Sequence, residues 1–136
     1  MTSPQQELLE QARQAAYKAY APYSRFRVGA AVLAEGKVYA GVNVENASYG
    51  LALCAERAAL AHARSHGAKI IEGVAVYCLD AAADASGAVP EDQTLPCGAC
   101  RQWLAELAPD AWIVTNASPR PYGVADLLPR PFRLKA

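Results

Sequence analysis

The chain has 136 residues, enough for one domain with a real hydrophobic core and too few for two comfortable ones. Its 13 basic and 13 acidic residues cancel, so there is no cationic field to hold a nucleic acid polymer or an anionic membrane, and the expected partner is a small molecule. No apolar run approaches the roughly 20 residues that span a bilayer, and the N-terminus does not read as a signal segment, so the expectation is one soluble, cytoplasmic domain over residues 1–136.

The first predicted element is a helix. Ser3 stands as N-cap, Pro4 occupies the first helical position and Gln6 follows three residues after the cap. Leu8, Leu9, Ala12, Ala15, Ala16 and Tyr20 then form an apolar stripe at helical spacing. Ala21-Pro22-Tyr23-Ser24 ends it. Two strands follow, Phe26 to Leu33 and Lys37 to Val42, joined by a hairpin turn at Glu35-Gly36-Lys37. Asn43 to Leu51 is too polar for a core strand and reads as a loop. It delivers the chain to a second helix, Cys54 to His66, with Gly67 as its C-terminal cap.

Ile70 to Leu79 is the third predicted strand, and Asp80 to Pro96 is a loop long enough to carry function. Residues 98–108 make a third helix that Pro109 stops. Ala111 to Thr115 is a fourth strand, and Val124 to Leu128 is a last helical turn, with or without a short strand before it. This order predicts an α/β fold in which a hairpin and crossover connections build one mixed sheet covered by helices.

Four cysteines, two of them in a Cys-x-x-Cys pair, point to metal or redox chemistry rather than a disulfide framework. Cys97 and Cys100 have the chelating spacing of zinc ligands, and Cys54 would bring a third sulfur from another helix start. Helix N-termini favour thiolate, the form that binds metal. Three protein ligands leave one tetrahedral position for a water whose pKa zinc lowers toward about 7, which separates a catalytic site from a structural one. Glu56, two residues after Cys54, is the candidate proton shuttle; without that spacing it would be an ordinary first-turn acid. A redox pair would leave Cys54 and Glu56 without a role. His62 lies roughly 12 Å along the helix from Cys54, too far to join the site. Cys78 reads as a buried small hydrophobe, and His62, His66, Trp103 and Trp112 read as surface, core or interface residues.

Cys54-Ala55-Glu56-Arg57 and Pro96-Cys97-Gly98-Ala99-Cys100-Arg101-Gln102 resemble the motifs of the small homotetrameric cytidine deaminases, zinc-dependent nucleoside deaminases. Phe26-Arg27-Val28-Gly29-Ala30-Ala31 and Asn43-Val44-Glu45-Asn46-Ala47-Ser48-Tyr49-Gly50 extend the resemblance, which covers about residues 8–132. It implies a three-layer α/β/α sandwich around a mixed five-stranded sheet, and conversion of cytidine or deoxycytidine and water to uridine or deoxyuridine and ammonia in pyrimidine salvage. It assigns Zn²⁺ to Cys54, Cys97 and Cys100, and proton transfer to Glu56. Asn43 and Glu45 would hold the ribose, Phe26 would stack on the base, and the Ala55 backbone would bind it. Arg57 would donate hydrogen bonds to the thiolates. Tyr49 and Phe132 would complete sites shared between subunits of a homotetramer. The chain departs from the family's pattern in the long 80–95 loop and in Cys78. Two other readings are a deaminase of a cytosine-nucleoside antibiotic and a non-enzymatic structural zinc module closed by Cys78.

Overall fold

A computed structural model describes residues 1–135. The first helix, α1, runs Ser3–Ala16. Its cap lies one residue earlier than the sequence suggested: Thr2 accepts from the Gln5 amide, and the Gln5 side chain accepts from the Thr2 amide. Thr2/Gln5 and Ser3/Gln6 share the same spacing, and the structure uses the pair that places Pro4 at the second position of the helix.

Strands β1 (Val28–Ala34) and β2 (Lys37–Val42) form the expected hairpin. Glu35 and Gly36 both have positive φ, 53° and 79°, the handedness that a two-residue turn needs to follow strand twist. β1 begins two residues later than predicted. The Asn43 side chain takes the place of a strand neighbour there, donating to the Phe26 carbonyl at 2.8 Å and accepting from the Val28 amide at 2.9 Å. Helix α2 (Ala55–Ser65), strand β3 (Ile71–Cys78), helix α3 (Gly98–Leu107) and strand β4 (Trp112–Thr115) follow in the predicted order. The last segment holds both alternatives, a short strand β5 (Tyr122–Gly123) running into a single helical turn α4 (Val124–Leu127).

The sheet order is β2-β1-β3-β4-β5, with β3 and β4 parallel and the other neighbours antiparallel. Alternation along the strands sends Ala31, Ala75 and Val114 to one face, under Leu8 and Ala12 of α1. Ala30, Val32, Val74, Val76 and Ile113 face the other way, under Ala59, Leu60 and Ala63 of α2 and Leu104 of α3. The result is three layers, and two of the contacts are close enough to exclude any side chain. A Cβ on Gly29 would lie 2.0 Å from the Ala12 carbonyl oxygen of α1, and one on Gly41 would lie 2.3 Å from the Ala59 nitrogen of α2.

The outer edge of β2 is partly closed by α2, where the His62 ring nitrogen Nδ1 donates to the Ala40 carbonyl at 2.9 Å. His62 and His66 are exposed beside Tyr39, as their helix positions implied. Trp112 lies half-buried over Gly73, while Trp103 stays on the surface. Among the described residues no helix is long and apolar enough to cross a membrane.

The site lies where three strand ends meet. The register pairs Val28 with Cys78 and Gly29 with Val42, so the start of β1 lies beside the ends of β2 and β3. The chain leaving β2 reaches α2 through a bridge between Val44 and Leu53, and the chain leaving β3 reaches α3 through the long loop. Both helix N-termini are thereby aimed at the same end of the sheet.

Candidate active site and metal centre

Cys54 is the N-cap of α2, Cys97 is the N-cap of α3, and Cys100 lies in the first turn of α3. Their sulfurs meet. Cys54 Sγ is 3.9 Å from Cys97 Sγ, which is 3.6 Å from Cys100 Sγ, and all three lie within 4.8 Å of one another. A disulfide would need about 2.05 Å. Sulfurs on a tetrahedral zinc, with Zn–S bonds of about 2.3 Å, sit about 3.8 Å apart, so the three positions fit that metal.

Electrostatics agree with the fit. A hydrogen bond from Cys100 brings the Cys54 thiol down to about 5, and hydrogen bonding and charge from Arg57 act in the same direction. Cys100 is pushed up in return, first by that shared hydrogen and then by burial, so the trio retains protons that metal binding would release. Arg57 Nη2 donates to Cys54 Sγ at 3.5 Å and to the Ala52 carbonyl at 3.3 Å. Its Nε is buried with no partner. An unpaired guanidinium donor is costly in neutral surroundings and well placed beside thiolates whose charge exceeds that of one divalent cation.

Glu56 is 6% exposed at the first turn of α2, between these thiols and a cavity. Burial pushes its carboxyl up to about 7, and the Cys54 thiolate adds to the effect. An acid of that strength exchanges protons in both directions near neutral pH.

The cavity has a volume of about 420 Å³, within the range that encloses a small ligand. Phe26, Asn43, Glu45, Tyr49, Ala55 and Arg57, all named from the sequence, line it together with Cys54, Glu56 and Cys97. Asn43 and Glu45 also shape its rim. Glu45 accepts from the Tyr23 amide at 2.9 Å, the Ser24 amide at 3.1 Å and the Ser24 hydroxyl, which folds the 22–24 turn against the opening. Tyr49 is 79% exposed there, edge-on to Tyr23 with ring centroids 6.4 Å apart. Phe132 lies outside the cavity wall. Its ring is exposed while its backbone is held at two points by the Gln102 side chain, at 2.8 and 3.2 Å.

Cys78 faces the cavity as well but does not belong to the sulfur cluster, and burial pushes its thiol up to about 12. Among the described residues no fourth Cys, His, Asp or Glu joins the trio, which removes the structural zinc module closed by Cys78. Gln93, Thr94 and Leu95 form a wall that sequence reasoning missed. The available signal was their position just before Pro96-Cys97, in a loop judged by its composition and length. That loop is tied back at both ends. Arg27 and Asp80 form a paired contact at 2.9 Å, and the Gln93 side chain accepts from the Ala82 amide at 3.0 Å.

Three thiols placed to hold a metal, with no fourth such group among the described residues, beside a buried carboxyl and a cavity of ligand size, fit a zinc centre of the catalytic rather than the structural class. Residues 2–116 match the family described as the cytidine and deoxycytidylate deaminase zinc-binding region. The chain is 51% identical over 105 residues to a cytidine deaminase of Halalkalibacterium halodurans, covering 76% of this chain and 72% of that one. It is 44% identical over 124 residues to a cytidine deaminase of Mycobacterium tuberculosis, covering 90% and 85%. The crystal structure of cytidine deaminase from Burkholderia pseudomallei superposes with a TM-score of 0.79 at 41% identity, over 97% of this chain and 100% of that one. The chain belongs to the cytidine and deoxycytidylate deaminase family and carries that family's zinc-binding region.

Proposed function

We propose that the protein catalyses the hydrolytic deamination of cytidine and deoxycytidine, giving uridine or deoxyuridine and ammonia. The observation that carries this reading is the buried Glu56 carboxyl lining a cavity that also holds the three-sulfur cluster. Cys54, Cys97 and Cys100 would hold Zn²⁺, which when bound supplies the Lewis acidity that makes water nucleophilic near neutral pH.

In this reading Glu56 accepts a proton from the attacking water and delivers it to N3 of the pyrimidine as the new C4–O bond forms. A second proton passes through Glu56 to the amino nitrogen, and the C4–N bond breaks to release ammonia. Atoms balance as nucleoside plus water to product plus ammonia. Phe26 gives the base a face to stack on, the Ala55 backbone binds its polar edge, and Asn43 with Glu45 receives the ribose. Arg57 offsets the thiolate charge. Tyr49 and Phe132 act at subunit boundaries of a homotetramer, where exposed aromatic rings would gain cover. The role in the cell is pyrimidine salvage in the cytoplasm.

Charge favours the free nucleoside over the nucleotide. The cavity wall carries the acidic side chains of Glu45 and Glu56, and Arg57, the one cationic side chain among its described lining residues, donates to Cys54 and Ala52. A nucleotide's phosphate would add negative charge to a wall that already carries two acidic side chains. Ammonia release from cytidine, deoxycytidine, deoxycytidine 5′-monophosphate, free cytosine, a cytosine-nucleoside antibiotic and short single-stranded RNA tests the assignment. The two nucleosides should be turned over best. Preference for the monophosphate or the antibiotic would reassign the substrate, and no ammonia from any compound would overturn the activity.

A further inference from the structure

A chain of buried hydroxyl groups connects the metal-bearing segment to the sheet. Thr94 is 1% exposed and Thr115, at the end of β4, is fully buried, with their hydroxyl oxygens 2.7 Å apart. Thr115 Oγ1 is in turn 2.8 Å from the Ser118 hydroxyl. The Thr94 hydroxyl also reaches the Glu91 carbonyl at 3.0 Å, which accepts the Thr94 and Leu95 amides at 2.9 and 3.0 Å as well. Backbone amides fill remaining acceptor positions, Ala117 on Thr115 Oγ1 at 3.1 Å and Thr115 on Ser118 Oγ at 3.1 Å. Thr94, Thr115 and Ser118 thus form one continuous hydroxyl network in which each oxygen has partners.

Its placement suggests a purpose beyond stability. Thr94 lies three residues before Cys97 and borders the same cavity. Cys100 is buried in α3, whereas Cys97 is exposed at its N-cap. Between Thr94 and Cys97 the Leu95 amide donates to the Glu91 carbonyl at 3.0 Å, the Pro96 ring is buried, and the Pro96 carbonyl accepts from Arg101 Nε at 2.7 Å. The Thr94 hydroxyl adds a tie from this segment directly to β4.

We propose that Thr94, through the Ser118–Thr115–Thr94 hydroxyl chain, is a positioning residue that holds Cys97 in place as a metal ligand. This rests on reading Cys97 as a zinc ligand. The test is the rate at which the zinc-loaded full chain loses metal to a chromophoric chelator, for the wild type, Thr94→Ser, Thr94→Val and Leu8→Ala. Leu8→Ala opens the core beneath α1 on the opposite face of the sheet, and so reports general destabilisation. Thr94→Val, which keeps the shape and loses the hydroxyl, should release zinc about tenfold faster, and Thr94→Ser should stay within about twofold of the wild type. A Thr94→Val rate equal to that of the wild type or of Leu8→Ala overturns the proposal. If Thr94→Val does not fold, Ser118→Ala at the half-buried head of the chain should still speed release, and an unchanged rate there overturns it. A wild-type chain that retains no zinc contradicts the metal centre itself, a distinct outcome.

Discussion

Arg57 shows how much of the site depends on one side chain. Its guanidinium donates to Cys54 and helps to keep that thiol near 5, the ionised form that metal binding requires. Removing it should raise the Cys54 value, so that protons compete with metal over a wider range of pH. Arg57→Ala should therefore bind zinc about 10- to 100-fold more weakly, with a larger loss near pH 6 than near pH 8, as measured by chelator competition. Equal losses at both values would mean that Arg57 acts through packing rather than charge. Spacing at the helix starts was enough to single out Cys54, Cys97, Cys100 and Glu56, which the fold brings together, whereas Arg57 was singled out by the family resemblance. Thr94 and Thr115 were not singled out, because they are 21 residues apart and only the parallel pairing of β3 with β4 brings the two segments together.

The elements themselves were legible where periodicity and turn chemistry were strong, as in the β1–β2 hairpin, α2 and α3. Boundaries shifted where side chains replaced backbone partners. Thr2 took the cap expected of Ser3, and Asn43 occupied the place where β1 was expected to begin at Phe26. Gly29 and Gly41 separate the duties of the two helix layers. Gly29→Ala pushes against α1, which carries none of the site, whereas Gly41→Ala pushes against α2, which carries Cys54 and Glu56. Each should lower stability by about 1–3 kcal/mol in denaturant unfolding. Only Gly41→Ala should also lower zinc affinity in the folded protein; a matching loss in Gly29→Ala would show that the layers are coupled through the sheet.

At the scale of the whole molecule, the three-layer fold brings two helix N-termini to the end of the sheet where β1 starts and β2 and β3 finish. The sulfur cluster and the Glu56 carboxyl arise from that convergence, and the cavity opens beside them. The layered α/β/α architecture and the metal-binding motifs were legible in the chain, while the wall built by Gln93, Thr94 and Leu95 emerged only in three dimensions. The central claim is that Glu56 moves protons for a reaction at a zinc centre that it does not itself build. Ammonia release from cytidine by zinc-loaded wild type and Glu56→Gln, with bound zinc measured in the same samples, tests it most directly. The account predicts equal zinc in both and a rate at least about 100-fold lower in Glu56→Gln; a variant that keeps its zinc and turns over cytidine at near the wild-type rate would contradict it.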